Sequence, residues 1–263
     1  MPAQSPAMNV MMGAATKAAR SLRRDFGEVE NLQVSTKGPG DFVSNADLKA
    51  EKTIYEELSK ARPGYGFLME ENGEIEGADK THRWIIDPLD GTTNFLHGIP
   101  IFSISIALER DGALVAGLVY NPITDEMFHA EKGIGAYLNN RRIRVSARKK
   151  IEESVFATGI PHTGRAGAPQ FFTDMETMLP KVAGIRRFGS AALDLAYVAS
   201  GRVDGYWERG LETWDMAAGI VLVREAGGLV SDIDLSARHM QTGNIMAGNE
   251  AMHDAMGRFL TRK

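Results

Sequence analysis

The chain reads as an α/β protein written in two styles, an α+β first half built on antiparallel hairpins and an α/β second half. Three observations carry this. The apolar runs at 101–108 and 113–120 flank Asp111-Gly112, a pair that tolerates the positive φ a two-residue hairpin turn demands. Past residue 150, strand-like segments at 154–160, 185–188 and 204–208 alternate with helix-like ones at 169–182, 190–201 and 215–226, the rhythm of strand–helix units. Finally, Trp84-Ile85-Ile86-Asp87-Pro88 reads as a buried strand that stops, because proline has no N–H with which to extend a ladder. At 263 residues, 43% apolar and 24% charged, the chain suits one large domain or two intimate subdomains. The change of rhythm sets the expected boundary near 150: an N-terminal subdomain at 1–150 and a C-terminal one at 151–263.

Taken in order, Met8, Met11, Ala15, Ala18, Leu22 and Phe26 recur at helical spacing and predict a first helix. Ser44-x-x-Asp47 is a capping box that opens a helix over 46–61 with Ile54, Tyr55 and Leu58 on its apolar side, and Arg62-Pro63-Gly64 ends it. Tyr65–Met69 predicts a strand that delivers Glu70 and Glu71. After the Trp84 strand, Gly91-Thr92-Thr93 opens a short helix before Pro100. A further strand pair is expected across 126–145, with turns near Gly133 and at Asn139-Asn140. Ser190 caps the helix that ends near Gly201, and Gly227-Gly228 closes the 215–226 helix in the usual C-terminal manner. A last strand near 244–247 leads through Asn249, another cap, into a C-terminal helix.

Bulk properties exclude several classes of function. A net charge of −4 and a pI near 5.9 give no global attraction to nucleic acid or acidic membranes. With no cysteine there is no disulfide, thiolate nucleophile or zinc–cysteine centre. No apolar run approaches the ~20 residues of a membrane span, and no signal-type apolar core opens the chain, so the expected location is the cytoplasm. Arg141, Arg142, Arg144, Arg148, Lys149 and Lys150 form a basic cluster; without interleaved aromatics it reads as a solvated face.

The chemistry-bearing segment is Asp87-Pro88-Leu89-Asp90-Gly91-Thr92-Thr93-Asn94-Phe95. Two carboxylates three residues apart at the carboxyl end of a strand stand where α/β sheets hold ligands. Such hard oxygen donors suit Mg²⁺, and the amides of the following turn suit phosphate. Three other acids have ordinary structural readings when taken alone. Glu70, with Glu71, is a solvated strand end, and Asp47 is a helix cap. Asp215, in Trp214-Asp215-Met216-Ala217-Ala218-Gly219, gains from a helix dipole, while the small residues beyond it permit close packing.

Together, in this order, these segments resemble the inositol monophosphatase family of Mg²⁺-dependent, lithium-sensitive sugar-phosphate phosphatases, from about residue 7 to the C-terminus. The anchors are Glu70-Glu71, the 87–95 segment and the 214–219 segment, supported by 133–139, 187–192 and Glu225-Ala226-Gly227-Gly228. The resemblance implies a layered αβαβα sandwich and homodimers. It also implies two to three Mg²⁺ per site. Glu70, Asp87 and the Leu89 carbonyl would hold one ion, Asp87, Asp90 and Asp215 a second, with a weaker third near Glu70. Glu70, with Thr92 polarised by Asp47, would prepare a water for in-line attack. Phosphate would lie against Gly91, Thr92 and Thr93, within reach of Asp90 and Asp215. Substrate hydroxyls would meet Gly189, Ser190 and Ala191 through backbone groups, and Glu208 through its carboxylate.

Two departures from the family pattern stand out, Asn72 where many members have serine and Glu212 where animal enzymes often have histidine. The implied substrate is myo-inositol monophosphate, with related polyol phosphates; fructose-1,6-bisphosphatase and nucleotide 3′-phosphatase are the alternatives within the superfamily. Some bacterial members associate with the transcription machinery, which makes RNA polymerase association an additional binding role to weigh. A covalent aspartyl-phosphate enzyme would need acids two residues apart, not three with a proline between them.

Overall fold

The computed structural model describes residues 4–26, 28, 34–38, 41–161 and 166–261. Five layers stack as helices, sheet, helices, sheet and helices. The first layer pairs α1 (Pro6–Phe26) with α2 (Asn45–Ala61). Helix α1 buries Met8, Met11, Ala14, Ala15, Ala18, Ala19 and Leu22, a stripe at three- and four-residue spacing whose alanines let α2 lie close. A short hairpin, β1 (Val34–Gly38) and β2 (Asp41–Ser44), precedes α2; no sequence signal was read for it.

The first sheet is eight-stranded, in the order β10-β9-β8-β7-β6-β5-β3-β4. Its strands are β3 (Gly66–Met69), β4 (Gly73–Ile75), β5 (His82–Asp90), β6 (Ser103–Arg110), β7 (Ala113–Asn121), β8 (Glu126–Glu131), β9 (Gly135–Leu138) and β10 (Arg141–Arg142). The β6–β7 turn is Asp111-Gly112 with φ of 51° and 73°, and Asn139-Asn140 repeats the pattern at 43° and 71°, as two-residue turns of this hand require. Short helix α3 (Thr92–Leu96) follows β5.

The middle layer holds α5 (Ala191–Ala199) and α6 (Thr213–Glu225). A Cβ at Gly117 of β7 would overlap the Ala218 carbonyl, so α6 lies directly on the first sheet, as its small residues predict. The second sheet is five-stranded, in the order β12-β11-β13-β15-β14, from β11 (Val155–Thr158), β12 (Gly184–Arg186), β13 (Gly205–Glu208), β14 (Leu229–Ser231) and β15 (Ile245–Gly248). Its outer face is covered by α4 (Ala168–Met178) and α8 (Glu250–Leu260), over Phe156, Trp207, Met246, Met252 and Met256. The remaining helix, α7 (His239–Thr242), lies between β14 and β15 in the chain. This is the αβαβα sandwich the resemblance implies.

Strand β5 departs from expectation in an instructive way. It does not stop at Pro88 but runs to Asp90. Opposite β6, Asp87 pairs with Ser105 and Asp90 with Ser103, so three steps on one strand match two on the other. The extra residue is a bulge, one of the few places a sheet accepts proline. In a regular strand, residues three apart point to opposite faces. The bulge returns Asp90 to the face of Asp87. That face is the α5–α6 side, because Ile85 packs into the core beneath those helices while Trp84 and Ile86 pack toward α1 and α2.

Two further differences are smaller. The strand expected at 185–188 sits at Gly184–Arg186, since the Phe188 carbonyl accepts instead from Asn94 Nδ2 at 2.7 Å. β14 and α7, with three and four residues, are too short to show a period.

Candidate active site

Three backbone devices gather the predicted acids. Strand β3 runs parallel to β5 with Met69 opposite Ile86, so the next residue, Glu70, falls beside Asp87; its amide donates to the Ile86 carbonyl at 3.2 Å. The bulge aligns Asp90 with Asp87. Helix α6 begins over the same sheet edge and carries Asp215 in its first turn. Carboxylate oxygens of Asp87, Asp90 and Asp215 consequently lie within 4.8 Å of one another, and Glu70 is hydrogen-bonded to Asp87.

Backbone amides anchor each aspartate, with a hydroxyl added at Asp90. Leu89 N donates to Asp87 Oδ1 at 2.9 Å. Asp90 Oδ2 accepts from the Ser190 hydroxyl at 2.5 Å and from Ala192 N at 2.7 Å, at the start of α5. Glu212 N donates to Asp215 Oδ2 at 2.8 Å, a capping arrangement. Asp47 is held in the same way, with Ser44 N and Ser44 Oγ at 2.9 and 2.6 Å from its Oδ2. Its Oδ1 lies 3.1 Å from the Thr92 hydroxyl, which is equally close to the Leu89 carbonyl. Asp47 is thus both a helix cap and a partner of Thr92.

The electrostatics are those of a cation site. Asp87 is pushed well above the ordinary carboxylate range, first by burial and then by the charges of Glu70, Asp90 and Asp215. A hydrogen bond between two carboxyl groups needs one of them to carry a proton. Burial raises Asp90 to about 7 against the opposing bonds from Ser190 and Ala192, with Glu208 and Glu70 adding to the rise. Burial also raises Asp47. Crowded carboxylates in a low-dielectric cleft repel one another strongly, and a hard divalent ion relieves that strain while using their oxygens. The donor set fits Mg²⁺ chemistry and offers nothing to soft metals.

The loop from Asp90 into α3 is narrow. Gly91 adopts a left-handed φ of 100°, and Asn94 Nδ2 ties it to the Ile101 and Phe188 carbonyls at 2.7 Å each. Those bonds bring Gly189 and Ser190 alongside Gly91. Thr93 is exposed at the mouth, whereas Leu89 is buried. Ala191 is buried at the start of α5.

Glu208 ends β13 and accepts from the Tyr206 hydroxyl at 2.7 Å. A Cβ at Gly159 would overlap the Glu208 carboxyl group, so this glycine makes room for it. The charge of Glu208 reaches both Asp90 and Asp194.

Sequence reading missed Glu51 and Asp194 and gave only part of the role of Ser190. Glu51, fully buried, accepts from Glu71 N at 2.8 Å and from Asn72 Nδ2 at 2.5 Å, and so braces the loop that carries Glu70. The available signal was its place one helical turn beyond Asp47 on the same face. It also explains Asn72, whose amide reaches that carboxylate. Ser190 was read as a helix cap with backbone substrate contact; its hydroxyl also fixes Asp90. Asp194, 1% exposed with Oδ1 lacking a partner, is held far toward its neutral form by burial first and then by Glu208 and Asp90.

The basic cluster is partly spent on structure. Arg148 pairs with Asp204 at 3.1 Å and Lys150 with Glu153 at 3.0 Å, while Arg141 and Arg142 lie exposed on the short edge strand β10. Among the described residues, no helix is long and apolar enough to cross a membrane.

Comparison with known proteins leads to the same family. The model of the inositol monophosphatase family matches residues 3–260. An inositol-1-monophosphatase of Mesorhizobium japonicum is 59% identical over 97% of this chain and 96% of its own length. The Nus factor SuhB of Escherichia coli K12 is 43% identical over 95% of this chain and 94% of its own. Among solved structures, the extragenic suppressor protein suhB of Bartonella henselae superposes with a TM-score of 0.96 at 59% identity, covering 98% and 99% of the two chains. An inositol monophosphatase from Anabaena (Nostoc) sp. PCC 7120 does so at 0.83 and 36% identity, covering 96% and 94%. The chain belongs to the inositol monophosphatase family and is a phosphatase.

Proposed function

We propose that the protein is a Mg²⁺-dependent, lithium-sensitive phosphomonoesterase that hydrolyses myo-inositol monophosphate and related polyol phosphates. The carrying observation is the convergence of Asp87, Asp90 and Asp215 oxygens within 4.8 Å, with Glu70 bonded to Asp87. Glu70, Asp87, the Leu89 carbonyl, Asp90 and Asp215 would hold two ions, with a weaker third near Glu70. Bound there, Mg²⁺ supplies charge to both the attacking and the leaving oxygen of an in-line displacement and acidifies water.

The chain's own residues do the rest. Glu70 orients and deprotonates the attacking water. The Thr92 hydroxyl, 3.1 Å from Asp47 Oδ1, assists in the position that contact gives it. The amides of Gly91, Thr92 and Thr93 receive phosphate. Glu208, fixed by Tyr206 and admitted by Gly159, accepts from the polyol hydroxyls, with the backbone of Gly189, Ser190 and Ala191 alongside. The 59% identity to an inositol-1-monophosphatase supports the substrate. Cytoplasmic location and homodimers belong to the same reading.

The test is a panel assay of the purified protein on inositol 1-phosphate, fructose 1,6-bisphosphate and a nucleoside 3′-phosphate, with Mg²⁺, with Mg²⁺ plus Li⁺, and after chelation. Undiminished turnover after chelation overturns the metal assignment. Preference for either alternative ester overturns the substrate.

Identity of 43% to proteins named Nus factor SuhB favours a second, additional role with the transcription machinery. Co-purification with RNA polymerase from a native extract tests it.

A further inference from the structure

Glu70 sits in the turn 70–72, which joins β3 to β4. Strand β4 is a weak anchor for that turn. It is three residues long, lies at the edge of the eight-stranded sheet and leaves Glu74 and Ile75 exposed, so apolar burial does little to fix the far side. On the near side the Glu70 amide bonds the Ile86 carbonyl at 3.2 Å. The path of the chain just beyond Glu70 needs a further hold.

The side chain of Glu51 supplies it. This residue is 0% exposed; its Oε2 takes the Glu71 amide at 2.8 Å and its Oε1 takes Asn72 Nδ2 at 2.5 Å. Burying a carboxyl group is costly unless its oxygens are satisfied, and here each oxygen is given to one of the two residues that follow Glu70.

Helix α2 ties this contact to a second one. Asp47 precedes Glu51 by four residues, on the same face of the helix and about 6 Å along its axis. Its Oδ1 meets the Thr92 hydroxyl at 3.1 Å. The helix is itself fixed by its capping box and by Ala46, Ala50 and Ile54 in the core. One rigid helix face therefore grips Thr92 through Asp47 and the Glu70 turn through Glu51.

We propose that Glu51 is a positioning residue for the hydrolysis: with Asn72 it sets where the Glu70 carboxylate stands relative to Thr92, and so where the attacking water is held. The inference rests on the phosphatase reading, which gives Glu70 and Thr92 their roles.

The test is a double-mutant cycle, since residues that act through one another do not add. Glu51→Ala should lower kcat on inositol 1-phosphate about tenfold to a hundredfold, the scale of a misplaced catalytic group. KM for the ester should change little, because the amides of 91–93 are untouched. Asn72→Ala, at an exposed position, removes one of the two bonds and should cost about fivefold. In a Glu70→Gln background, assayed at high enzyme concentration, both changes should cost less than about twofold further. Glu51→Gln keeps an acceptor for the Glu71 amide, and its NH₂ can donate to Asn72 once that side-chain amide turns over; it should recover most of the loss. Calorimetric titration with Mg²⁺ gives a readout without turnover, and binding should be several-fold weaker in Glu51→Ala than in wild type. Circular dichroism checks each fold, and Asn72→Ala carries the cycle should Glu51→Ala fail to fold.

Equal losses in the wild-type and Glu70→Gln backgrounds, unaltered kcat in Asn72→Ala, or Glu51→Gln as impaired as Glu51→Ala would each overturn the proposal. Wild type that neither turns over the ester nor binds Mg²⁺ would instead overturn the phosphatase reading, and this inference with it.

Discussion

Asp174 and Asp204 are as buried as Asp87, at 3%, 2% and 2% exposure, yet their surroundings are opposite. Arg209 grips Asp174 with Nε and Nη2 at 2.9 and 3.2 Å. Arg148 meets Asp204 Oδ1 at 3.1 Å, and Val155 N completes the other oxygen at 2.8 Å. Asp87 instead has the carboxylates of Glu70, Asp90 and Asp215 as its dominant charged neighbours. Burial is the same; the sign of the nearest charge differs. An acid paired with arginine is finished by the fold. An acid ringed by acids is finished only by something the fold does not supply.

The widest separation between the two sets should come from neutralising one member of each. Asp87→Asn should lower kcat/KM on inositol 1-phosphate roughly a thousandfold or more, the several kcal/mol that metal-stabilised charge contributes to such transition states. The metal-free variant should also melt higher than metal-free wild type, because a buried charge among like charges is gone. Asp174→Asn should do the reverse, leaving kcat/KM within about twofold and costing stability. Breaking a buried pair costs ~3–5 kcal/mol; Arg209 remains partly solvated, so about 1–3 kcal/mol is expected. A stable, active Asp87→Asn enzyme would end the comparison.

Chelation gives the next largest effect. At a ligand concentration near a hundredfold over Kd, binding stabilises by ~2.7 kcal/mol, which for a chain of this size is about 5–10 °C in Tm. Wild type should lose that much on metal removal and Asp174→Asn should lose the same amount, while Asp87→Asn should lose little. Equal shifts in all three proteins would place the stabilising ion elsewhere.

Glu208→Gln sharpens the comparison within the site. Its carboxylate is braced by Tyr206 at 2.7 Å, and the proposed reading has it accept from the hydroxyls of the alcohol. It should impair a polyol phosphate by about tenfold, the scale of one hydrogen bond to a charged group, and an aryl phosphate much less. Equal loss on both substrates would reject its role in recognising the alcohol.

The contrast also explains what was legible in the sequence. Asp87 and Asp90 were readable because two acids, a proline and Gly-Thr-Thr share one short segment, and Asp47 and Asp215 because each begins a helix. Their convergence was not readable from spacing alone: three residues along a regular strand separates the faces, and only the Pro88 bulge brings them together. Glu51 went unread because its place one helical turn beyond Asp47 says nothing of the amide twenty positions away on which it acts. Asp174 and Asp204 were equally silent, since Arg209 and Arg148 reach them at separations of 35 and 56 residues. β14 was hidden because three residues after Gly227-Gly228 form a strand only through β15 beside them.

A buried base provides the smallest and most discriminating test. His253 is 7% exposed and lies 2.9 Å from the Ser231 hydroxyl. That hydroxyl donates to the Asp232 carbonyl, so the imidazole donates to it. Burial holds its pKa below the usual 6.5, which means the unfolded chain binds the proton more readily than the folded one. Its contribution to stability is therefore intact above about pH 6.5 and is lost as pH falls through the lower folded value. Compared with His253→Gln, wild type should lose more stability between pH 7 and pH 5, measured as Tm with Mg²⁺ saturating so that the acid cluster is held constant. Parallel Tm profiles would show that this histidine, unlike Asp87, accommodates its second charge state at no cost.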